Sequence, residues 1–165
     1  MRLDTLEDLY LDQLKDIHSA NTQAHEITLA LAEAATDPGL VDALKAGADG
    51  IEQGTRALET IATRHDEQSA GEQCKGMEGL VREARAHALD QVFGEDATRD
   101  AMIITQYQRL VHYALAGYGC LAAFAERLEL GEDVTALKIC LDKTYDGDRT
   151  MTELATGSIN KDTMA

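Results

Sequence analysis

The sequence predicts an all-α protein, a bundle of four long helices arranged as two antiparallel hairpins with a short crossover helix between them. Three observations predict it. Hydrophobic residues make up 44% of the 165 residues, yet aromatics are only 4%, with 25 Ala and no Trp; a β-sandwich or barrel would draw on many β-branched and aromatic residues. A single Pro interrupts the chain. Apolar residues recur in alternating steps of three and four, the period of helices packed at shallow angles.

The first helix is expected over about 5–35, where Leu3, Leu6, Tyr10, Leu14, Ile17, Ala24 and Leu31 form one stripe. Thr36-Asp37-Pro38-Gly39 ends it, and Asp37 reads as the N-cap and Pro38 as the first position of a second helix over about 38–66. Its stripe is Leu44, Ala48, Ile51, Thr55, Leu58 and Ala62. The polar run from Asp66 to Glu72 leads to the crossover helix, about 73–93. Gly94 comes next, with Asp96 as cap for a helix over about 97–129 striped by Ile104, Gln108, Val111, Leu115, Tyr118, Ala122 and Ala125. Gly131-Glu132-Asp133 places Gly past that helix and Asp133 before the last one, about 133–157, striped by Leu137, Leu141, Thr144, Asp148, Met151 and Ala155. Thirty helical residues span ~45 Å, so four such rods lie side by side over most of their length. Two tight hairpins with one long connection give the ferritin-like four-helix arrangement. No internal repeat is visible, and a single domain is expected over 1–165.

Charge narrows the function. Fifteen Lys and Arg face 30 Asp and Glu, a formal charge of −15, which disfavours nucleic acid and anionic membrane surfaces alike. The most apolar run, Gly119 to Ala125, falls far short of the ~20 residues of a membrane span. The start shows no apolar stretch behind a basic one, and a cytoplasmic location is expected. Cys74, Cys120 and Cys140 form no CxxC pair, which argues against a disulfide framework or structural zinc.

Leu6-Glu7-Asp8-Leu9-Tyr10 and Leu14-Lys15-Asp16-Ile17-His18-Ser19-Ala20 in the first helix resemble the YciE/YciF-type ferritin-like bacterial stress proteins. So do Cys74-Lys75-Gly76-Met77-Glu78-Gly79-Leu80 in the crossover, and His112-Tyr113 followed by Gly117-Tyr118-Gly119 in the fourth helix. The resemblance implies a dimer-forming bundle with a di-metal carboxylate site in its core. Residue by residue, that implied site fades. The family's Ser-Ala-Glu is Ser19-Ala20-Asn21 here, and its Glu-x-x-His falls on Asp49-Gly50-Ile51-Glu52. Its Glu-His-Tyr-Glu becomes Val111-His112-Tyr113-Ala114, and the acidic pair of the last helix becomes Thr144 and Asp148. A dinuclear site draws on ~4 carboxylates and ~2 imidazoles. Asp49, Glu52, His112 and Asp148 are thus the vestigial metal candidates, with Val111 expected to fill part of the old cavity.

The reading that follows is a stress-associated, non-catalytic homodimer with most di-iron ligands lost, acting as a binding or scaffold protein without a cofactor. The alternative is an iron or manganese oxidase, or a peroxide-detoxifying protein, whose rearranged site draws on Asp49, Glu52, Glu78 and Asp148. A third possibility, an emptied cavity that takes a small apolar ligand, requires open space beside Val111.

Other residues have plainer readings. Asn21, Gln108 and Asp148 fit a hydrogen-bonded core layer, and Glu52 and Arg56 an ordinary surface pair. His18 and His25 lie two turns apart, too far to share an ion unaided. Tyr107, Tyr113 and Tyr118 read as core packing, and the three cysteines as small buried hydrophobes. Gly47, Gly50 and Gly54 imply either a close approach or a loosened helix, since each costs about 1 kcal/mol relative to Ala within a helix.

Overall fold

The structure, a computed structural model, describes residues 3–160, so both ends of the domain expected over 1–165 lie outside the described residues. It is an all-α bundle: α1 Leu6–Ala34, α2 Pro38–Arg64, α3 Lys75–Ala84, α4 Asp96–Arg127 and α5 Gly131–Leu154. No strand occurs among the described residues, and no helix is long and apolar enough to cross a membrane.

The helix starts are fixed chemically. Thr5 and Asp8 form a capping box at α1, and the Asp37 side chain accepts from the Leu40 N–H ahead of Pro38. The expected cap at Asp96 is not used: α4 begins at Asp96 itself, after an extended Glu95. The α4–α5 turn also differs from expectation. Glu129, not Gly131, takes the left-handed conformation (φ 60°), and Gly131 already belongs to α5. The crossover helix is shorter than 73–93, because after Ala84 the backbone widens into a π turn, Arg85–Leu89. A second π turn, Ala155–Ile159, continues α5.

Helices α1, α2, α4 and α5 form a square in which α1 neighbours α2 and α4, and α5 neighbours α2 and α4. Contacts at the helix ends set the directions. Asp100 near the start of α4 meets Thr36 after α1, and Arg64 at the end of α2 meets Asp133 at the start of α5. Every neighbouring pair is therefore antiparallel, and the chain must climb the full length of the bundle between α2 and α4. That climb carries α3 across α1 and α4. Cys74 anchors it: its N–H donates to Ser19 Oγ at 2.9 Å, and its carbonyl accepts from Gln23 Nε2 at 3.2 Å. The Tyr113 hydroxyl sits 3.0 Å from Cys74 Sγ and donates to Asp16 Oδ2 at 3.0 Å. Gly76 is required here, because a Cβ would fall 2.8 Å from the Tyr113 ring. Several motif residues that carry the family resemblance thus hold the crossover to the bundle.

The buried apolar residues fall into two clusters. One gathers Ile27, Leu31, Leu40, Met77, Ile103 and Leu110 beneath the crossover. The other gathers Tyr10, Leu14, Leu58, Ile61, Leu121 and Leu137 at the opposite end.

Candidate functional site

Between the two clusters lies a cavity of about 570 Å³, walled by α2 and α5 and floored by α1 and α4. It opens on the seam opposite the crossover. Small residues on α2 create it: Gly47, Gly50, Gly54 and Ala57 follow one another at steps of three and four on one helix face. Two of these glycines make room for tyrosines from α4. A Cβ on Gly47 would fall 2.1 Å from the Tyr107 hydroxyl, and one on Gly54 would fall 2.4 Å from that of Tyr118. Gly50, between them, faces open space, with nothing within 4 Å of a built Cβ. Close approach therefore explains Gly47 and Gly54, and an unfilled volume explains Gly50.

The polar groups on the walls are few. Asn21 is buried and donates from Nδ2 to the Tyr118 hydroxyl at 2.7 Å. Tyr107 is only 3% exposed, and its hydroxyl makes no hydrogen bond to any described residue, although it lines the cavity. Burial, with the charge of Asp148 adding to it, pushes the Tyr107 phenol up to about 12. Burial likewise raises Tyr118. At the mouth, Lys143 on α5 donates to Gln53 Oε1 on α2 at 2.8 Å, while Asp146 pairs with Arg149.

Four positions at which the family resemblance placed metal ligands, Asn21, Val111, Ala114 and Thr144, all line this cavity. None offers a carboxylate or an imidazole. Val111 does not fill the old space, as expected from the sequence, but borders it. Among the described residues no three His, Cys, Asp or Glu side chains gather so as to hold a metal ion. The lining offers two amides (Asn21 and Gln53), two phenols, a thiol, two threonine hydroxyls (Thr144 and Thr150) and, at the mouth, the Asp146 carboxylate beside Lys143; one carboxylate and no imidazole do not fit two cations.

The four vestigial candidates are not brought together. Asp49 and Glu52 point outward from α2, and Glu52 pairs with Arg56 on the surface. His112 and Asp148 do meet, with the ring nitrogen 3.1 Å from Asp148 Oδ1, but His112 is 62% exposed. Asp148 also accepts from Gln108 Nε2 at 3.1 Å, and Gln108 donates to Thr152 Oγ1 at 3.0 Å. This is a polar seam between α4 and α5 rather than the core layer expected of Gln108 and Asp148; of that trio only Asn21 is buried. Cys74 and Cys140 are buried as expected, while Cys120 is exposed. His18 lies 3.3 Å from Glu59 on α2.

Two carboxylates are buried that the sequence does not place in the core, Asp133 marking there only the start of the last helix. Asp133, 3% exposed, accepts from Arg64 Nε and Nη2 at 2.9 and 2.6 Å and from the Tyr10 hydroxyl at 3.0 Å, with His65 Nε2 at 2.6 Å. Burial alone would raise its pKa, but the bonds to His65, Arg64 and Tyr10 outweigh it and hold the carboxyl below the usual range. Asp100, 2% exposed, accepts from the Thr36 N–H and hydroxyl and from the Asp37 N–H at 2.8 to 2.9 Å. Both fasten the ends of the bundle, and neither faces the cavity.

An all-α bundle with two hairpins, a crossover helix and a waist cavity is thus the class that fold and site define. The chain belongs to the family described as a domain of unknown function, DUF892, which matches residues 5–164. It is 30% identical to protein YciF of Escherichia coli K12 over 162 residues, covering 98% of this chain and 96% of that protein. The crystal structure of the E. coli stress protein YciF superposes with a TM-score of 0.89 at 28% identity, over 96% of this chain and 99% of that one. A YcfI structure from Rhodopseudomonas palustris superposes with a TM-score of 0.86 at 27% identity, over 91% and 94% of the two chains.

Proposed function

We propose that this chain is a non-catalytic, stress-associated cytoplasmic protein that works by binding, as a homodimer, and that its ferritin-like bundle has exchanged a metal centre for a cavity. One observation carries the reading. Asn21, Val111, Ala114 and Thr144 surround an open chamber and supply no carboxylate or imidazole to it. Similarity to a relative described as a stress protein supports the stress association. The oxidase alternative draws no support from the geometry: Asp49 and Glu52 face outward, and Glu78 lies on α3, which packs on α1 and α4 rather than on the cavity's walls.

Elemental analysis tests this directly, after reconstitution with Fe(II) and with Mn(II) and removal of loosely held ions. The expected result is no retained metal and a thermal midpoint unchanged by either ion, since a ligand that binds only the folded state would raise it. About two retained metals per chain would overturn the reading.

A further inference from the structure

We propose that the waist cavity is a binding site for a small neutral molecule with an apolar body and one hydrogen-bond acceptor, and that Tyr107 is its polar anchor. The inference rests on the binding role proposed above and adds the class of ligand. Its first support is the state of the tyrosines. Tyr10 donates to Asp133, Tyr113 donates to Asp16, and Tyr118 accepts from Asn21. Tyr107 is as deeply buried as Tyr118, yet its hydroxyl has no partner among the described residues. The Tyr107 side chain is buried while its hydroxyl, unpaired by any described residue, is accessible from the cavity, so a ligand acceptor there gains a bond that the protein itself does not supply.

Shape and charge define the rest. Gly47 lets the Tyr107 hydroxyl sit where it does, and Gly50 leaves the space beside it vacant. About 570 Å³ falls within the range of small-molecule sites, and Leu110, Val111 and Ile139 give it the apolar walls such sites have. A phenol that stays protonated through neutral pH keeps an O–H to donate, and a ligand acceptor uses it, which a bare cation cannot. An anion is opposed by the net charge of −15; at the mouth Asp146 is paired with Arg149, and Lys143 is held by Gln53 rather than aimed at a ligand. A neutral ketone, ester or ether on a hydrocarbon or aromatic frame meets these conditions.

The test uses prodan, a neutral naphthyl ketone whose emission reports its surroundings, and ethylnaphthalene as a competitor of similar frame without the acceptor. Prodan is expected to bind at one site per chain with emission shifted to the blue. Tyr107→Phe should weaken prodan roughly three- to tenfold while leaving ethylnaphthalene unchanged, the signature of one lost neutral hydrogen bond. Gly50→Leu should abolish binding of both, and because it grows into open space its thermal midpoint should not fall. Absence of prodan binding, equal effects of Tyr107→Phe on both probes, or full binding by Gly50→Leu would each overturn the proposal. So would a change of oligomeric state in Gly50→Leu, which would make the groove a contact between copies. The Tyr107→Phe comparison stands even if Gly50→Leu fails to fold. Metal content of the same preparations separates the two failures. Two metals per chain sink the metal-free reading, whereas no metal and no probe binding sink only the ligand.

Discussion

A single carboxylate shows how this bundle spends its few buried charges. Asp133 collects an arginine, a histidine and a tyrosine from the ends of α2 and α1, so removing its charge leaves a half-buried guanidinium without its partner. Asp133→Asn should cost about 2–4 kcal/mol at neutral pH, read as a drop in the urea midpoint. The sign with pH follows from its lowered pKa. A carboxyl held below its ordinary 3.8 stabilises fully above that value and loses the contribution as pH falls through the folded one. The gap between wild type and Asp133→Asn should therefore close in acid, and a gap that is constant with pH would show that the charge is not what matters. Neither Asp133 nor Asp100 was legible in the sequence as a buried acid. Each stands at or near a helix start, where an acidic residue is ordinary, and its partners are 63 or more residues away, or for Asp133 as many as 123.

Within elements, α2 carries the clearest lesson. Its stripe from Leu44 to Ala62 was readable as a core face, and the helix limits came within two residues of those expected. The face that shapes the cavity was not, because a search for ligands looks for acids and finds Asp49 and Glu52, whereas the inward positions are Gly47, Gly50, Gly54 and Ala57. Small residues leave no chemical signal of their own. The usable clue was relational: two tyrosines three turns apart on α4, Tyr107 and Tyr118, opposite two glycines two turns apart on α2. The three glycines should consequently respond differently to Ala. Gly50→Ala gains helix propensity against empty space and should stabilise by about 0.5–1 kcal/mol. Gly47→Ala and Gly54→Ala drive a methyl into a buried tyrosine and should destabilise by about 1–3 kcal/mol. Thermal unfolding of the three variants checks the order, and equal effects would refute the packing account. On α3 the sequence reading was too long because nothing in its residue types marks where an α-helix widens into a π turn.

For the whole molecule, four buried or half-buried tyrosines set an alkaline limit. Burial raises Tyr10, Tyr107, Tyr113 and Tyr118, the second to about 12. Their contribution is complete below the ordinary value of 10 and is lost as pH climbs through the folded values. Denaturation between about pH 9 and 12 should show stability falling as phenolate absorbance rises; an unchanged midpoint would contradict this burial. Topology, finally, gives the molecule something like the mechanics of a book. The α1–α4 side, with the crossover bound along it, is the spine; each hairpin is a cover; and the α2–α5 side is the fore-edge, where no covalent connection runs between the covers. Asp133, holding Arg64 and His65 across that edge, is the clasp at one end. Opening would then be anisotropic, with amides of α2 and α5 exchanging with solvent sooner than those of α1 and α4. Unfastening the clasp by Asp133→Asn should hasten exchange along the fore-edge and leave the spine as slow as the variant's lower stability allows.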